Sequence, residues 1–251
     1  MERPGLRYET IGRGYAQRRR EDPNLKSEIE AALAGAGTIV NVGAGGGSYE
    51  PAGSRVIAVE PSDVMVSQRP AGLGPAVRGL AQALPLATDS VEGAMAVLTL
   101  HHWHPDQQQG IREMRRVARG PIVVVSIDPV ISNRMWLMAD YLHEVAELDL
   151  QIFPAPAMIA SWLGDKAEIR TLPIHRDTPD ETLMSFWAHP ERVLDEQARN
   201  ATSGFARQSP EVVQRVVTAV KRDLESGAWE AKHGHLRALD AFDAGLRLIV
   251  G

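Results

Sequence analysis

The stretch TIVNVGAGGGS, residues Thr38 to Ser48, decides the fold. Its first five residues form a short and mostly apolar run, which is typical of a strand buried on both faces of a parallel sheet. The glycines that follow have no Cβ, so the backbone can turn sharply and a ligand can approach it closely. Ligands of open parallel sheets bind beyond the carboxyl ends of the strands, where the strand order reverses. The stretch therefore predicts a first strand that ends in a ligand-binding turn.

A second apolar run, Arg55–Glu60, ends in an acidic side chain seventeen residues after Gly43. A carboxylate at this place can accept hydrogen bonds from both hydroxyl groups of a ribose. The glycine turn does not fit the dinucleotide fingerprint G-x-G-x-x-G, because Ser48 stands where the third glycine belongs, and the chain has no Gly-Lys-Ser/Thr phosphate loop. The residues therefore favour a nucleoside site without phosphates, and the alternative for Glu60 is an exposed acid at a strand end.

Strand and helix signals alternate along the first half of the chain, which predicts an α/β fold with a doubly wound, mostly parallel sheet. The predicted strands are Thr38–Val42, Arg55–Glu60, Ala76–Val77, Ala94–Leu100, Ile122–Ile127, Ile169–Ile174 and Leu246–Val250. The predicted helices are Asn24–Ala34, Gln107–Ala118, Met135–Leu150, Pro154–Leu163 and one that starts at Pro210 behind Ser209 as its N-cap.

Composition excludes several classes of function. The 251 residues carry a formal net charge of −5, which argues against a broad surface for nucleic acid or for an anionic membrane. The chain has no cysteine, so disulfides, thiolate metal sites and thiol nucleophiles are excluded, as suits the reducing cytoplasm. The apolar runs are far shorter than the roughly 20 residues of a membrane-spanning helix, and no secretory signal is recognisable at the N-terminus. We therefore expect a cytoplasmic protein with a small-molecule partner.

Six motifs follow one another between Tyr8 and Pro129. They are Ile39–Gly45, Val59–Ser62, Gly79–Leu86, Val91–Ala94, Leu100–Trp103 and Glu113–Val117. In this order they resemble the class I S-adenosylmethionine-dependent methyltransferases, and most of all their ubiquinone-biosynthesis-like branch of small-molecule enzymes. The segments Trp187–Glu191, Asp223–Trp229 and Ala244–Ile249 also resemble a bacterial subgroup of these enzymes, some of them near antibiotic pathways.

The resemblance implies S-adenosylmethionine as cofactor and S-adenosylhomocysteine as product. It places Gly43, Ala44 and Gly45 under the methionine part of the cofactor, and it places Glu60 on the ribose. It also implies Pro61, Ser62, Leu80 and Ala81 for the adenine. For the methionyl chain it implies Val97 and Leu98. The sequence departs from the family pattern at two positions. An aspartate is common where Asn41 stands, and an aspartate or asparagine is common where Leu80 stands.

Two histidines and one tyrosine are the candidate catalytic residues. His101 and His102 follow the fourth strand, where an acceptor would approach the methyl group, and a histidine suits proton removal near neutral pH. Neighbours on an extended chain point to opposite sides, so we expect only one to face the site, and we favour His102. Tyr15 would come near the transfer centre if Tyr8–Arg20 closes as a lid. The alternative for each of the three is a packing role, and we expect no metal site.

The sequence thus predicts one domain over residues 1–251, a Rossmann-like seven-stranded sheet with a helical cap from about 1–22, 130–165 and 180–203. We expect methyl transfer by in-line displacement to a small molecule. Natural-product biosynthesis is one setting in which this reaction would occur. One alternative is a non-catalytic protein that binds S-adenosylmethionine for regulation. A second is a nicotinamide oxidoreductase, which the failed glycine fingerprint disfavours.

Overall fold

The first strand and its neighbours form a mixed sheet of seven strands in this computed structural model, which describes residues 20–251. In chain order the strands are β1 (Thr38–Val42), β2 (Arg55–Val59), β3 (Ala76–Val77), β4 (Gly93–Val97), β5 (Ile122–Ile127), β6 (Glu168–Thr171), β7 (Ile174–His175), β8 (Ala241–Phe242) and β9 (Leu246–Val250). The large sheet has the order β3-β2-β1-β4-β5-β9-β6, and β7 pairs with β8 in a small separate sheet.

The register of the large sheet puts the glycine turn at the point where the strand order reverses. β1 pairs in parallel with β2 on one side and with β4 on the other. β9 runs antiparallel between β5 and β6, so it is the one reversed strand of the seven. The predicted α/β class and the seven-stranded, mostly parallel sheet are confirmed.

Helices cover both faces of the sheet. They are α1 (Pro23–Ala32), α2 (Asp63–Ser67), α3 (Gln107–Val117), α4 (Pro129–Ser132), α5 (Trp136–Asp140), α6 (His143–Ile152), α7 (Pro156–Leu163), α8 (Glu196–Asn200), α9 (Ser203–Ala206), α10 (Pro210–Glu225) and α11 (Ala228–His233). Ser209 caps α10 as predicted, because its hydroxyl accepts a hydrogen bond from the backbone N–H of Val212. Within residues 20–251, no helix is long and apolar enough to cross a membrane.

Alternate residues of the strands supply two hydrophobic clusters, one on each face of the sheet. Ile39 of β1 belongs to the cluster that contains Trp136 and Trp187, which are fully buried. Its neighbour Val40 belongs to the other cluster, which contains Ile111 of α3. Strands buried on both faces read as continuous apolar runs, which is why these segments could be recognised in the sequence.

Three predicted elements are shorter or divided in the structure. The fourth strand ends at Val97 rather than at Leu100, because Leu98 has a φ of +51° and a 3₁₀ helix, Leu100–Trp103, begins two residues later. The predicted helix Met135–Leu150 consists of α5 and α6 with a break between them. The predicted strand Ile169–Ile174 ends at Thr171, since Pro173 has no N–H to continue the ladder.

Candidate cofactor and acceptor site

The glycine turn after β1 is tied to the end of β2. The backbone N–H groups of Gly43 and Ala44 both donate to the carbonyl oxygen of Val59, at 2.8 and 3.2 Å. Gly43 has a φ of +69°, and a Cβ added to it would lie 2.2 Å from the hydroxyl oxygen of Thr99. Glycine is therefore required at this position, both for the backbone conformation and for the close packing against the end of β4.

Glu60 lies immediately after β2, and its side chain points back to the glycine turn. One carboxylate oxygen accepts a hydrogen bond from the Gly45 N–H at 2.8 Å, and the other accepts one from the Ser62 N–H at 3.0 Å. A carboxylate offers about four acceptor positions, so both oxygens retain capacity for ribose hydroxyls. Burial raises the pKa of Glu60 above its ordinary value, while the two backbone hydrogen bonds oppose that rise.

We expect Glu60→Gln to weaken S-adenosylhomocysteine binding by about 1.5–3 kcal/mol, because the amide replaces one charged acceptor atom by a donor. In the wild type, affinity should also fall as the pH falls towards the raised pKa of Glu60, since the protonated carboxyl loses acceptor strength. Calorimetric titration measures both effects. Asp63→Asn is the matched control, because the Asp63 side chain is 70% exposed three residues away. Equal affinities of the two variants would remove the ribose role from Glu60.

The loop Gly79–Leu86, which the resemblance assigns to the adenine, is fixed by α3. Glu113 accepts a hydrogen bond from the Leu84 N–H at 2.8 Å, and Arg116 donates to the Leu84 carbonyl oxygen at 3.1 Å. Ala81 is buried, whereas Leu80 is exposed on the same loop. The loop can therefore present backbone atoms to a base, and the Leu80 side chain supplies an apolar surface in place of a polar one.

Asn41, which replaces the common acid, belongs to a buried polar cluster. Its side-chain amide donates to Glu50 at 3.1 Å, and Arg69 forms a bidentate pair with the same carboxylate at 2.8 and 3.0 Å. An aspartate at position 41 would place a second carboxylate against Glu50 in a region with little water, which is unfavourable. The departure from the family pattern is therefore explained by the neighbouring acid.

A cavity of about 400 Å³ lies beyond the carboxyl ends of β4 and β5. Leu98 and His101 line it from the β4 side, and Thr99 between them is the residue that packs against Gly43. Its apolar lining includes Leu25, Ile127, Val145, Leu148, Phe153, Leu172, Ile174, Leu183, Met184 and Leu246. Its ionisable lining consists of Asp22, Glu28, His101, Asp149, His175, Asp180 and Arg207, with Tyr49 beside them. The cavity therefore lies near the glycine turn, through Tyr49, which follows the turn, and through Leu98, and it has a mixed apolar and polar wall.

The two candidate histidines occupy different places. His101 lines the cavity and stacks on Phe153 with 4.5 Å between the ring centroids. His102 is half-buried, and its Nδ1 accepts a hydrogen bond from Arg207 at 3.3 Å. The two rings are 3.8 Å apart, because the residues belong to a 3₁₀ helix and not to an extended chain. The predicted alternation does not hold here, and His101 is the histidine at the cavity wall.

The remaining predicted cofactor residues follow their strands as expected, but only Leu98 among them lines the cavity. Gly45, Pro61 and Val97 are half-buried, and Ala44 and Ser62 are buried. Tyr15, the lid Tyr8–Arg20 up to residue 19 and most of the cap segment 1–22 lie outside the described residues. Within residues 20–251, no three His, Asp or Glu side chains are grouped so that they could hold a metal ion.

Tyr49 and Asp149 line the cavity, and the sequence interpretation did not single them out. Tyr49 follows the glycine turn with a φ of +65°, and its hydroxyl donates to Asp180 at 2.7 Å while it accepts from the Asp22 N–H at 3.0 Å. A positive φ is uncommon outside glycine and is found at functional sites. Because Asp180 lies 131 residues from Tyr49 in the chain, no local pattern could reveal this contact.

Comparison with known proteins gives one family match and several structural matches. Residues 40–121 match the model of the methyltransferase domain family. A crystal structure of a provisionally assigned methyltransferase from an antibiotic biosynthesis pathway of Anabaena variabilis ATCC 29413 is 29% identical, with a TM-score of 0.86 over 93% of this chain and 98% of that one. Geranyl diphosphate C-methyltransferase from Streptomyces coelicolor A3(2) is 14% identical, with a TM-score of 0.51 over 90% and 74% of the two chains, which indicates a shared fold. A comparison with curated protein sequences gives no match.

Proposed function

We propose that this chain, which is a class I S-adenosylmethionine-dependent methyltransferase, methylates a small molecule held in the cavity beside its glycine turn. The family, the enzyme class and the methyl donor that the motifs implied are confirmed by the family model and by the match to the Anabaena structure. One observation carries the proposal of the acceptor site. Thr99 packs against Gly43 of the turn, while its neighbour Leu98 lines a cavity of about 400 Å³.

In the proposed arrangement, the turn Gly43–Gly45 lies under the methionine part and Glu60 holds the ribose. S-adenosylmethionine, when bound, supplies an activated methyl group, and the electron pair of the broken carbon–sulfur bond stays on sulfur in S-adenosylhomocysteine. The protein positions the lone pair of the acceptor in line with that bond at the cavity wall near Leu98. Alignment of this kind can contribute on the order of 7–11 kcal/mol in favourable cases. His101 is the predicted catalytic histidine that lies at this wall.

The size and lining of the cavity support a compact acceptor with apolar parts. Cavities of roughly 300–1,000 Å³ suit small molecules. The cavity is lined by four carboxyl groups and only one arginine. This balance of charge disfavours a diphosphate ester such as the geranyl-S-thiolodiphosphate bound in the Streptomyces structure. The similarity to the Anabaena protein supports a natural-product acceptor. The absence of cysteine supports a cytoplasmic setting, and the net charge supports a partner other than nucleic acid.

The cavity also supports the proposed cap. Residues 130–165 contribute α6 to its wall, and residues 180–203 contribute Asp180 and Thr202. These segments lie around the cavity beyond the carboxyl ends of β4 and β5, and they support the proposal of a cap that encloses the acceptor.

Calorimetric titration of the purified chain with S-adenosylhomocysteine and, separately, with NADH tests the cofactor assignment. We expect micromolar affinity for S-adenosylhomocysteine and no detectable heat with NADH. Binding of NADH instead would favour the oxidoreductase alternative. A complex in which bound S-adenosylmethionine has its methyl group sealed from the cavity would favour the non-catalytic, regulatory alternative.

A further inference from the structure

Asp149 is a buried acid that faces the acceptor cavity. It lies on α6 one turn after Val145, which shares its helix face, and both Val145 and Leu148 also line the cavity. Apolar side chains make up much of that wall, and Asp149 is only 8% exposed. A carboxyl group in such a place is costly to the folded state unless a ligand uses it, because ionised groups lose their hydration on burial.

Burial raises the pKa of Asp149 to about 7, and the charge of Arg207 opposes that rise. Among the described residues, none donates a hydrogen bond that stabilises the Asp149 carboxylate. The group is therefore divided between its acid and its carboxylate form near neutral pH. Strongly shifted carboxyl groups that face a cavity are typical of functional sites.

Arg207 connects Asp149 with the histidines at the end of β4. Its guanidinium group is 3.3 Å from Nδ1 of His102, and the ring of His102 lies 3.8 Å from that of His101. His101 stacks in turn on Phe153, which follows α6 directly. Asp149, Arg207 and the two histidines therefore form one group of neighbouring side chains near the end of β4.

We propose that Asp149 holds the reacting O–H or N–H group of the acceptor, whose chemical class is a hydroxyl or amine compound with an apolar body. This inference rests on the proposed function and names the substrate class of that site. The carboxylate accepts the hydrogen bond of the acceptor and takes its proton as the new bond to the methyl carbon forms. An alcohol thereby becomes its neutral methyl ether, Asp149 becomes the neutral carboxylic acid, and atoms and charge balance. An ammonium group first gives its proton to the Asp149 carboxylate, because only the free amine has a lone pair, and it leaves as the methylated ammonium ion.

The charges around Asp149 favour such a donor over an anion. The ionisable groups that face it across the cavity, or reach it through Arg207, are His101, His102, His175, Arg207, Asp22, Glu28 and Asp180. Carboxyl groups outnumber the permanent cation, so an acceptor with its own carboxylate would meet repulsion. A hydroxyl or ammonium group of the substrate can donate a hydrogen bond to the Asp149 carboxylate, and the apolar body of the substrate can contact the apolar lining of the cavity.

Three probes with one apolar body test this assignment: benzyl alcohol, benzylamine and benzoate, each titrated into the wild type saturated with S-adenosylhomocysteine. We expect the alcohol or the amine to bind at least tenfold more tightly than benzoate, and whichever of the two binds more tightly identifies the oxygen or nitrogen class. In Asp149→Asn we expect this preference to shrink to about threefold or less, because the amide can also donate to benzoate. Glu147→Gln, exposed on the same helix, should keep the wild-type preference.

Thermal unfolding supplies a second readout. The raised pKa of folded Asp149 means that the wild type loses stability relative to Asp149→Asn as the pH rises from about 4 to about 7. We expect the variant to have a Tm about 3–8 °C higher than the wild type at pH 8 and an equal Tm at about pH 4 or below. The other ionisable groups are common to both proteins, so the difference isolates position 149.

Several results would overturn the assignment: benzoate binding as tightly as the other probes in the wild type, no binding of any probe, or an unchanged preference in Asp149→Asn. A Tm difference that does not depend on pH would equally contradict it. A different result would contradict the proposed function, namely that the wild type does not bind S-adenosylhomocysteine. Asp149→Asn should bind S-adenosylhomocysteine as the wild type does.

Discussion

Replacing Arg69 with methionine should lower the free energy of unfolding by about 3–5 kcal/mol, because it leaves the Glu50 carboxylate buried without its cation. The Arg69 and Glu50 side chains are only 6% and 2% exposed, and their pairing is bidentate. Asn41 supplies one remaining hydrogen bond, which does not neutralise the charge. Urea unfolding followed by circular dichroism measures the loss.

The exposed pair of Arg78 and Asp63 provides the control. Its side chains are 68% and 70% exposed, so Arg78→Met should change stability little. Adding Glu50→Gln to Arg69→Met should restore part of the lost stability, since the buried charge is then removed. If Arg69→Met were as stable as Arg78→Met, the buried cluster of Asn41, Glu50 and Arg69 would contribute little to the stability of the fold.

Replacing Gly45 with valine should weaken S-adenosylhomocysteine binding by at least 100-fold while the chain remains folded. Gly45 has a φ of +51°, and its N–H donates to the carboxylate of Glu60, so a side chain here stands beside the ribose position. The added Cβ would meet only the flexible end of Met65, at 3.3 Å. Strain of about 1–2 kcal/mol in the left-handed region is tolerable for a domain of this size. Calorimetry gives the affinity, and circular dichroism confirms the fold.

Gly35→Val separates strain from occlusion of the site. Gly35 also has a positive φ, +88°, and a Cβ there would meet no atom within 4 Å. This variant should bear a similar backbone strain and bind S-adenosylhomocysteine like the wild type. Similar losses of affinity in both variants would mean that strain, rather than the space under the cofactor, explains the effect at Gly45.

The candidate cofactor half of the site could be proposed from the sequence because its parts are local. Thr38–Val42 and Ile122–Ile127 have the bounds that their apolar runs indicate. The glycine turn and Glu60 follow directly from two neighbouring strands, and parallel pairing brings their carboxyl ends together.

The acceptor half could not be predicted because its wall is assembled from distant segments. Tyr49 meets Asp180, and Arg207 meets His102 across 105 residues. The choice of His102 over His101 rested on an extended chain, whereas the backbone turns into a 3₁₀ helix after Leu98. A buried acid such as Asp149 also has no signature in a single helix, because its function depends on what the helix faces.

A structure of the chain with S-adenosylhomocysteine bound tests the central claim most directly. We predict that the ribose hydroxyls lie within hydrogen-bond distance of the Glu60 carboxylate, that the methionine part lies over Gly43–Gly45, and that the sulfur atom faces the cavity next to Leu98 and His101. A ligand whose ribose lies away from Glu60, or whose sulfur atom is separated from that cavity by packed side chains, would contradict the account.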